Sequence, residues 1–470
     1  MDFSNILFRR KCSLTLYKNK KIPLGEMSFF KDFVNDKRGD LYPVLQRMEG
    51  TQERILNNRY FVSGNLVRFF CQFFPFATYE ISVEDFNDRF GFEFGIKSAM
   101  CSVMLGKNHL YFYDSNGETS VPLKEDIKKM VVTCRPGAFD VYFVKNEQPI
   151  FFHTFKSEKF ENSNAYNEFS VGFAALKVLG KAEIKRVLSY IDCGISQADM
   201  RPIRYENGEV MTESGKIYFT ASVRQEEQMF QGIFSLVPST METELTGAVF
   251  FDSGDGKWCG DVASTLVYSR RENKWLIFLC SFNHGHILAH SAFDGDVRFG
   301  VNVVDIKLMN KANDDAPFDT TDSFEGDEDP NFIYDEENHR WLLAVCRLDK
   351  KQMAYKYAFF ESKEPFNNYK YLGCGLDGHE TGGSFVKINN EMHFICGNAF
   401  DKRADYRVYS KDGMQNLKFD FDDGGFRGWG TLIPVKLGSR TRHLFLTFDR
   451  HNGSAYNWSY GNLYLFEADI

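Results

Sequence analysis

The sequence predicts an all-β protein: a β-sandwich over residues 1–192, then a five-bladed β-propeller over residues 193–470. Three observations predict it. Strand-forming aromatics abound, with 48 Phe and 22 Tyr against only 12 Pro. Helical periodicity is nearly absent, and strand–turn–strand units recur in its place. The second part of the chain also repeats one hairpin pattern at a period that suits four-stranded blades.

A chain of 470 residues exceeds one ordinary core, so two domains are expected. In the first part, His109–Tyr113 runs into the turn Ser115-Asn116-Gly117. Phe139–Val144 turns at Lys145–Pro149 and returns as Ile150–Phe155. Phe92–Ile96 alternates, and Gly172–Leu179 and Ile184–Ile191 read as two more strands. Many short strands joined by polar turns suggest a sandwich. Ile191–Gln197 is the expected passage between domains.

In the second part, five aromatic-rich strands follow tight polar turns: Lys216–Ala221, Lys274–Cys280, Arg340–Cys346, Glu391–Cys396 and Arg442–Phe448. A second sandwich is the rival architecture, but sandwiches rarely keep so even a spacing.

Charge and cysteine usage narrow the function. The net charge is −8 and no basic tract stands out, which argues against a nucleic-acid partner. Arg9, Arg10 and Lys11 are not followed by an apolar segment, so neither a signal peptide nor a membrane span is expected. The ten Cys are scattered with no C-x-x-C pair, which reads as buried free thiols in the cytoplasm. No cofactor and no metal is expected. The acidic stretch Asp314–Asp329 lacks an EF-hand order and reads as a solvated loop. His284-Gly285-His286 with His290 has a metal-like look, but alternating strand positions near the channel explain it as well.

The chemistry should sit where the innermost strand of each blade opens into the channel. The segments there are Ala198-Asp199-Met200-Arg201-Pro202, Trp258-Cys259-Gly260-Asp261-Val262, Glu325-Gly326-Asp327-Glu328-Asp329-Pro330, His379-Glu380-Thr381-Gly382-Gly383 and Arg427-Gly428-Trp429-Gly430. Four of the five carry a carboxylate. Four in register would converge on one cavity, at a folding cost that suggests a functional reason. Asp also caps strand entries, which accounts for Asp261 equally well. Paired carboxylates are what glycoside hydrolysis needs, one to protonate the leaving oxygen and one to activate water or attack.

These openings resemble those of glycoside hydrolase family 43 and its five-bladed relatives, families 32, 62, 117 and 130. In family 43 a general-base Asp opens blade one in sequences like A-D-P, where this chain has Ala198-Asp199. An Asp that tunes the acid opens blade three in sequences like I-D-P-x-x-F, where it has Asp329-Pro330-Asn331-Phe332. A general-acid Glu opens blade four in sequences like E-G-P, where Glu380-Thr381-Gly382 stands. Blade two often reads W-A-P-D-V, and Trp258-Cys259-Gly260-Asp261-Val262 is similar. The resemblance implies a glycosidase with catalytic Asp199, Asp329 and Glu380, inversion of configuration, and a short oligosaccharide, an arabinofuranoside or xyloside, as substrate. Asp261, Arg201, Trp258, His286 and Trp429 are the expected substrate contacts. Blade five has Trp429 where family 43 places a His near a metal, so the metal is not carried over. Glu325, Asp327 and Glu328 remain open as working residues of blade three. The first domain resembles concanavalin-like carbohydrate-associated domains. The rivals are a family 130-like phosphorylase, for which Arg201, Arg204, Arg347 and Arg427 make no clear cluster, and a non-catalytic sugar-binding protein. A retaining, family 32-like mechanism lacks its W-M-N-D-P-N signature. Oligomeric state is left open.

Overall fold

The computed structural model describes residues 2–14, 20–29, 41–145, 148–194, 197–224, 228–309, 324–349, 353–375, 379–398, 406–420, 429–449 and 462–470. Among the described residues almost every element is a strand, and the one α-helix, Tyr166–Phe169, is a single turn. No described helix is long and apolar enough to cross a membrane. All ten cysteines are free.

The chain forms two compact units. The first, Lys21–Asp192 with Gly256–Trp258, contains two antiparallel sheets. One runs Gly117–Pro122, His109–Asp114, Met100–Gly106, Arg89–Gly95, Phe173–Leu179, Leu66–Gln72 and Val44–Arg47. The other is centred on Thr78–Phe86 and Lys181–Asp192. Rings from both sheets meet: Phe94 lies 5.0 Å from Tyr79 and 5.3 Å from Phe139, and Phe112 stacks on Phe155 at 5.1 Å. Such aromatic pairs add to the apolar burial that holds the unit together.

The second unit, Met1–Lys20 with Cys193–Asp255 and Cys259–Ile470, is a five-bladed propeller. Blade one comprises Gln197–Pro202, Lys216–Val223, Phe230–Val237 and Glu242–Asp252. Blade two comprises Val262–Ser269, Lys274–Ser281 and Ile287–Phe293, with Lys307–Leu308 at its edge. Blade three is Phe324–Asp335, Arg340–Asp349, Ala354–Ser362 and Lys370–Cys374. Blade four is Glu380–Ile388, Glu391–Asn398, Tyr406–Ser410 and Gly413–Asn416. All five expected second strands are present, because each is an apolar run fixed by a polar turn. Neighbouring blades bury apolar faces against each other. Phe278 and Leu276 of blade two meet Phe332 and Trp341 of blade three, and Tyr357 of blade three meets Phe385 and Phe394 of blade four.

The expected boundary at residue 192 needs two adjustments. Residues Met1–Lys20 belong to the propeller, because Leu7–Leu14 is the outer strand of blade five. It pairs with Asn462–Ala468, which follows Arg440–Asp449 and Gly430–Leu437. Gly256–Trp258 belong to the first unit, because Trp258 packs on Phe169 at 4.7 Å and Phe74 at 5.7 Å.

Polar side chains stitch the innermost strands together. Thr220 donates to the Ser264 carbonyl at 3.1 Å and Thr265 to the Pro330 carbonyl at 2.7 Å. Asn331 accepts from Phe385 N at 2.9 Å, and the hydroxyls of Ser384 and Thr431 are 3.2 Å apart. Arg204 is 2% exposed and reaches across this hub, donating to Asn331 Oδ1 at 2.6 Å, to the Phe332 carbonyl at 3.3 Å and to the Phe385 carbonyl. Burial, with Arg201 nearby, pulls its pKa below the ordinary guanidinium value.

In blades one to four the first strand carries the same bulge. Its partner register skips between Ala198 and Arg201, Val262 and Thr265, Glu328 and Asn331, and Thr381 and Ser384. The first of the two residues inside each skip is left-handed: Asp199 (φ +52°), Ala263 (+55°), Asp329 (+46°) and Gly382 (+59°). A bulge re-aims the side chain it carries, and non-glycine residues in this region are strained.

Lys20 gives the fold a pH dependence. Its ammonium nitrogen is buried 4.8 Å over the Phe234 ring, and no hydrogen-bond partner meets it among the described residues. Burial pulls its pKa from 10.5 to about 7. Between those values the unfolded chain holds a proton that the folded chain lacks, so stability rises with pH across that window. Lys20→Met is expected to stabilise the protein at pH 6 by up to about 4 kcal/mol, with the gain shrinking towards pH 10. Urea unfolding at pH 6 and pH 9 checks this.

Candidate active site at the blade openings

The bulge sorts the predicted carboxylates into two sets. Asp199 and Asp329 both occupy the bulge itself, in blades one and three. Asp261 and Glu380 stand two residues before it, at the place held by Gln197 and Asp327 in the other blades. The expectation of four carboxylates in one register is therefore corrected: two are carried by the bulge and two precede it.

The earlier set is buried and engaged by protein groups. Asp261 is 0% exposed; Oδ1 accepts from Asn283 N at 3.2 Å and Asn283 Nδ2 at 2.7 Å, and Oδ2 from Ser281 at 2.8 Å. Asp327 pairs with Arg347 Nε at 2.8 Å. Glu380 is also 0% exposed; Oε2 accepts from Tyr357 N at 3.1 Å and Oε1 from the Tyr409 hydroxyl. A side chain at Gly375 would run into that carboxylate.

Asp329 is the best-held member of the bulge set. Its Oδ2 accepts from Trp429 Nε1 at 2.8 Å, Thr381 Oγ1 at 3.0 Å and Gly382 N at 3.1 Å. Three donors on one oxygen fix the rotamer. Trp429 stacks on Phe448 at 5.4 Å, so it serves Asp329 through its N–H. The bulge glycine makes room for that ring: a Cβ on Gly382 would stand 2.5 Å from Trp429 Cδ1. Gly382→Ala is expected to displace Trp429 and cost the propeller about 2 kcal/mol, read as an earlier urea midpoint.

Asp199 is partly exposed at the blade one bulge. Arg201, two residues on, is 3% exposed and donates to the Met200 carbonyl at 3.0 Å. His286 is half exposed, with Nδ1 3.2 Å from Oε1 of Glu328, whose side chain is 25% exposed. Trp258 packs within the first unit, its ring covered by Phe169, Phe74 and Tyr166. His290 stacks on Phe366 at 4.4 Å. Among the described residues no group of His, Cys, Asp or Glu is placed to hold a metal ion. Arg427, Gly428 and most of the 314–329 stretch lie outside the described residues, as do the side chains of Phe324 and Glu325.

The bulge also aligns the motifs. Gly383 holds the place that Pro330 holds in blade three. A Glu-Gly-Pro segment with its proline there would put its Glu at 381, where this chain has Thr. Glu380 stands one residue before that place. In blade three the same place holds Glu328.

No family model matches the chain, and no curated protein does. Among solved structures, it is similar to an α-L-arabinofuranosidase from Podospora anserina in complex with cellotriose, at 12% identity over 59% of this chain and 92% of that one, with a TM-score of 0.40. It is also similar to a family 62 glycoside hydrolase in complex with xylotriose, at 10% identity over 58% and 92%, with a TM-score of 0.40. A family 43 β-1,3-galactosidase with galactodeoxynojirimycin matches at 11% identity over 57% and 93%, with a TM-score of 0.37.

Proposed function

We propose that the propeller hydrolyses glycosidic bonds of short oligosaccharides, arabinofuranosides or xylosides, with inversion. The observation that carries this reading is the pair of carboxylates at equivalent bulges, Asp199 and Asp329, the second held by three donors. Asp199 takes a proton from water as that water attacks the anomeric carbon. The bond to the leaving oxygen breaks, and that oxygen takes a proton from a carboxylic acid. Glu328 is the donor this geometry favours, being partly exposed beside His286. Glu380, the acid expected from the sequence, is sealed and acts by holding Tyr357 and Tyr409. Asp329 orients the substrate. The ten free thiols suit work in the cytoplasm.

Thr381 at the motif position of an acid favours a second reading, sugar binding without turnover. A screen of aryl arabinofuranosides, xylosides and galactosides, with and without phosphate, decides between them. Turnover with an inverted first product anomer by proton NMR supports hydrolysis. Saturable sugar binding by calorimetry without turnover on any substrate supports the second reading.

A further inference from the structure

Blade two carries a chain of hydrogen bonds that starts on a loop serine and ends on Asp261. Ser253 lies in the loop after Glu242–Asp252, and its Oγ is 3.1 Å from His284 Nε2. His284 Nδ1 is 2.7 Å from Ser281 Oγ, and Ser281 Oγ is 2.8 Å from Oδ2 of the fully buried Asp261. The direction of these bonds follows from donor counting. A carboxylate only accepts, so the single hydroxyl proton of Ser281 goes to Asp261. Ser281 must then accept from His284, which puts the imidazole proton on Nδ1. Nε2 is left with its lone pair aimed at Ser253, whose hydroxyl donates to it. That is a serine with a base on its proton, and a base oriented by a buried carboxylate through one relay hydroxyl.

The surroundings admit a substrate. Ser253 and His284 are partly exposed. Gly254 (φ +98°) and Gly285 (φ +83°) flank them, and a Cβ at either would meet nothing within 4 Å. Gly285 caps the short turn Phe282–His284 that presents the imidazole. That clearance beside Ser253 and His284 leaves room for a small acyl group.

We propose that Ser253 and His284 form a second catalytic site that hydrolyses short-chain carboxylic esters. Ser253 Oγ bonds to the ester carbonyl carbon while its proton passes to His284 Nε2. The alcohol leaves with that proton, giving an acyl-serine. Water, losing a proton to Nε2, releases the carboxylic acid and restores Ser253. Ser281 and Asp261 are positioning residues, acting through His284.

The test uses the full chain, a fluorophosphonate probe and p-nitrophenyl acetate. One probe is expected on the Ser253 peptide by mass spectrometry, and none in Ser253→Ala. His284→Gln is expected to slow labelling and acetate release at least about a hundredfold. Asp261→Asn, which removes the carboxylate but keeps its shape, is expected to shift the pH profile of labelling. Aryl glycoside turnover in Ser253→Ala is expected to match the parent, so this site stands or falls apart from the glycosidase reading. A folded parent that takes no probe at Ser253, or labelling unaffected by His284→Gln, overturns the proposal and leaves the chain of bonds as a fastening of the 252–262 loop.

Discussion

Asp199→Asn is expected to lower kcat on an aryl glycoside by about 10²–10⁴-fold with the fold retained. Asparagine keeps the shape of the side chain and its tolerance of the left-handed conformation at φ +52°. What it loses is the capacity to take a proton from water. Added azide, which needs no base, is expected to restore turnover and yield a glycosyl azide of inverted configuration. Glu328→Gln should show the complementary pattern: a large loss on substrates with poor leaving groups, and little on a dinitrophenyl glycoside, whose leaving oxygen needs no proton. If Glu380→Gln gives that pattern instead, Glu380 is the acid despite its sealed position. Asp329→Asn keeps an oxygen towards Thr381, Gly382 and Trp429, so its loss should appear in KM as well as kcat.

Arg204→Met is expected to destabilise the propeller by about 3–5 kcal/mol. Its guanidinium reaches acceptors in blades three and four from the chain just after the first strand of blade one. Methionine refills much of the volume, so packing is not the main loss. The carbonyls of Phe332 and Phe385 keep their place in the hub with one donor fewer, inside a region where water cannot substitute. Calorimetry of the full chain should show the effect in the propeller's transition, while that of the first unit stays in place.

The blades were legible because each hairpin declares itself locally. Lys274–Ser281 is an apolar run after a polar turn, and no distant residue is needed to see it. The outer strand of blade five was not legible. Leu7–Leu14 contains Arg9, Arg10 and Lys11, reads as a polar terminus, and finds its partner only at Asn462–Ala468. The site was legible in residue types but not in register. Strand periodicity places residues two apart on one face, so Asp261 looks equivalent to Asp199 until the bulge is located. Ser253 could not be tied to His284 from sequence, since a loop and a turn from different strands bring them together. Trp258 misled for a similar reason, standing beside a blade-two motif while its ring partners are Phe169 and Phe74.

The pairing of Leu7–Leu14 with Asn462–Ala468 has a consequence for synthesis. Leu7–Leu14 is made long before its partner Asn462–Ala468. During translation Phe8, fully buried in the finished ring, waits until Asn462–Ala468 has been made. The other four blades can assemble as they leave the ribosome, but the ring stays an open arc until Asn462–Ala468 is made, with the inner strands of blade five showing an unpaired edge. A ribosome stalled before residue 462 would hold such an arc, a natural client for chaperones. A permuted gene that encodes Leu7–Leu14 directly after Asn462–Ala468 would make that closing contact local and speed the final step of folding.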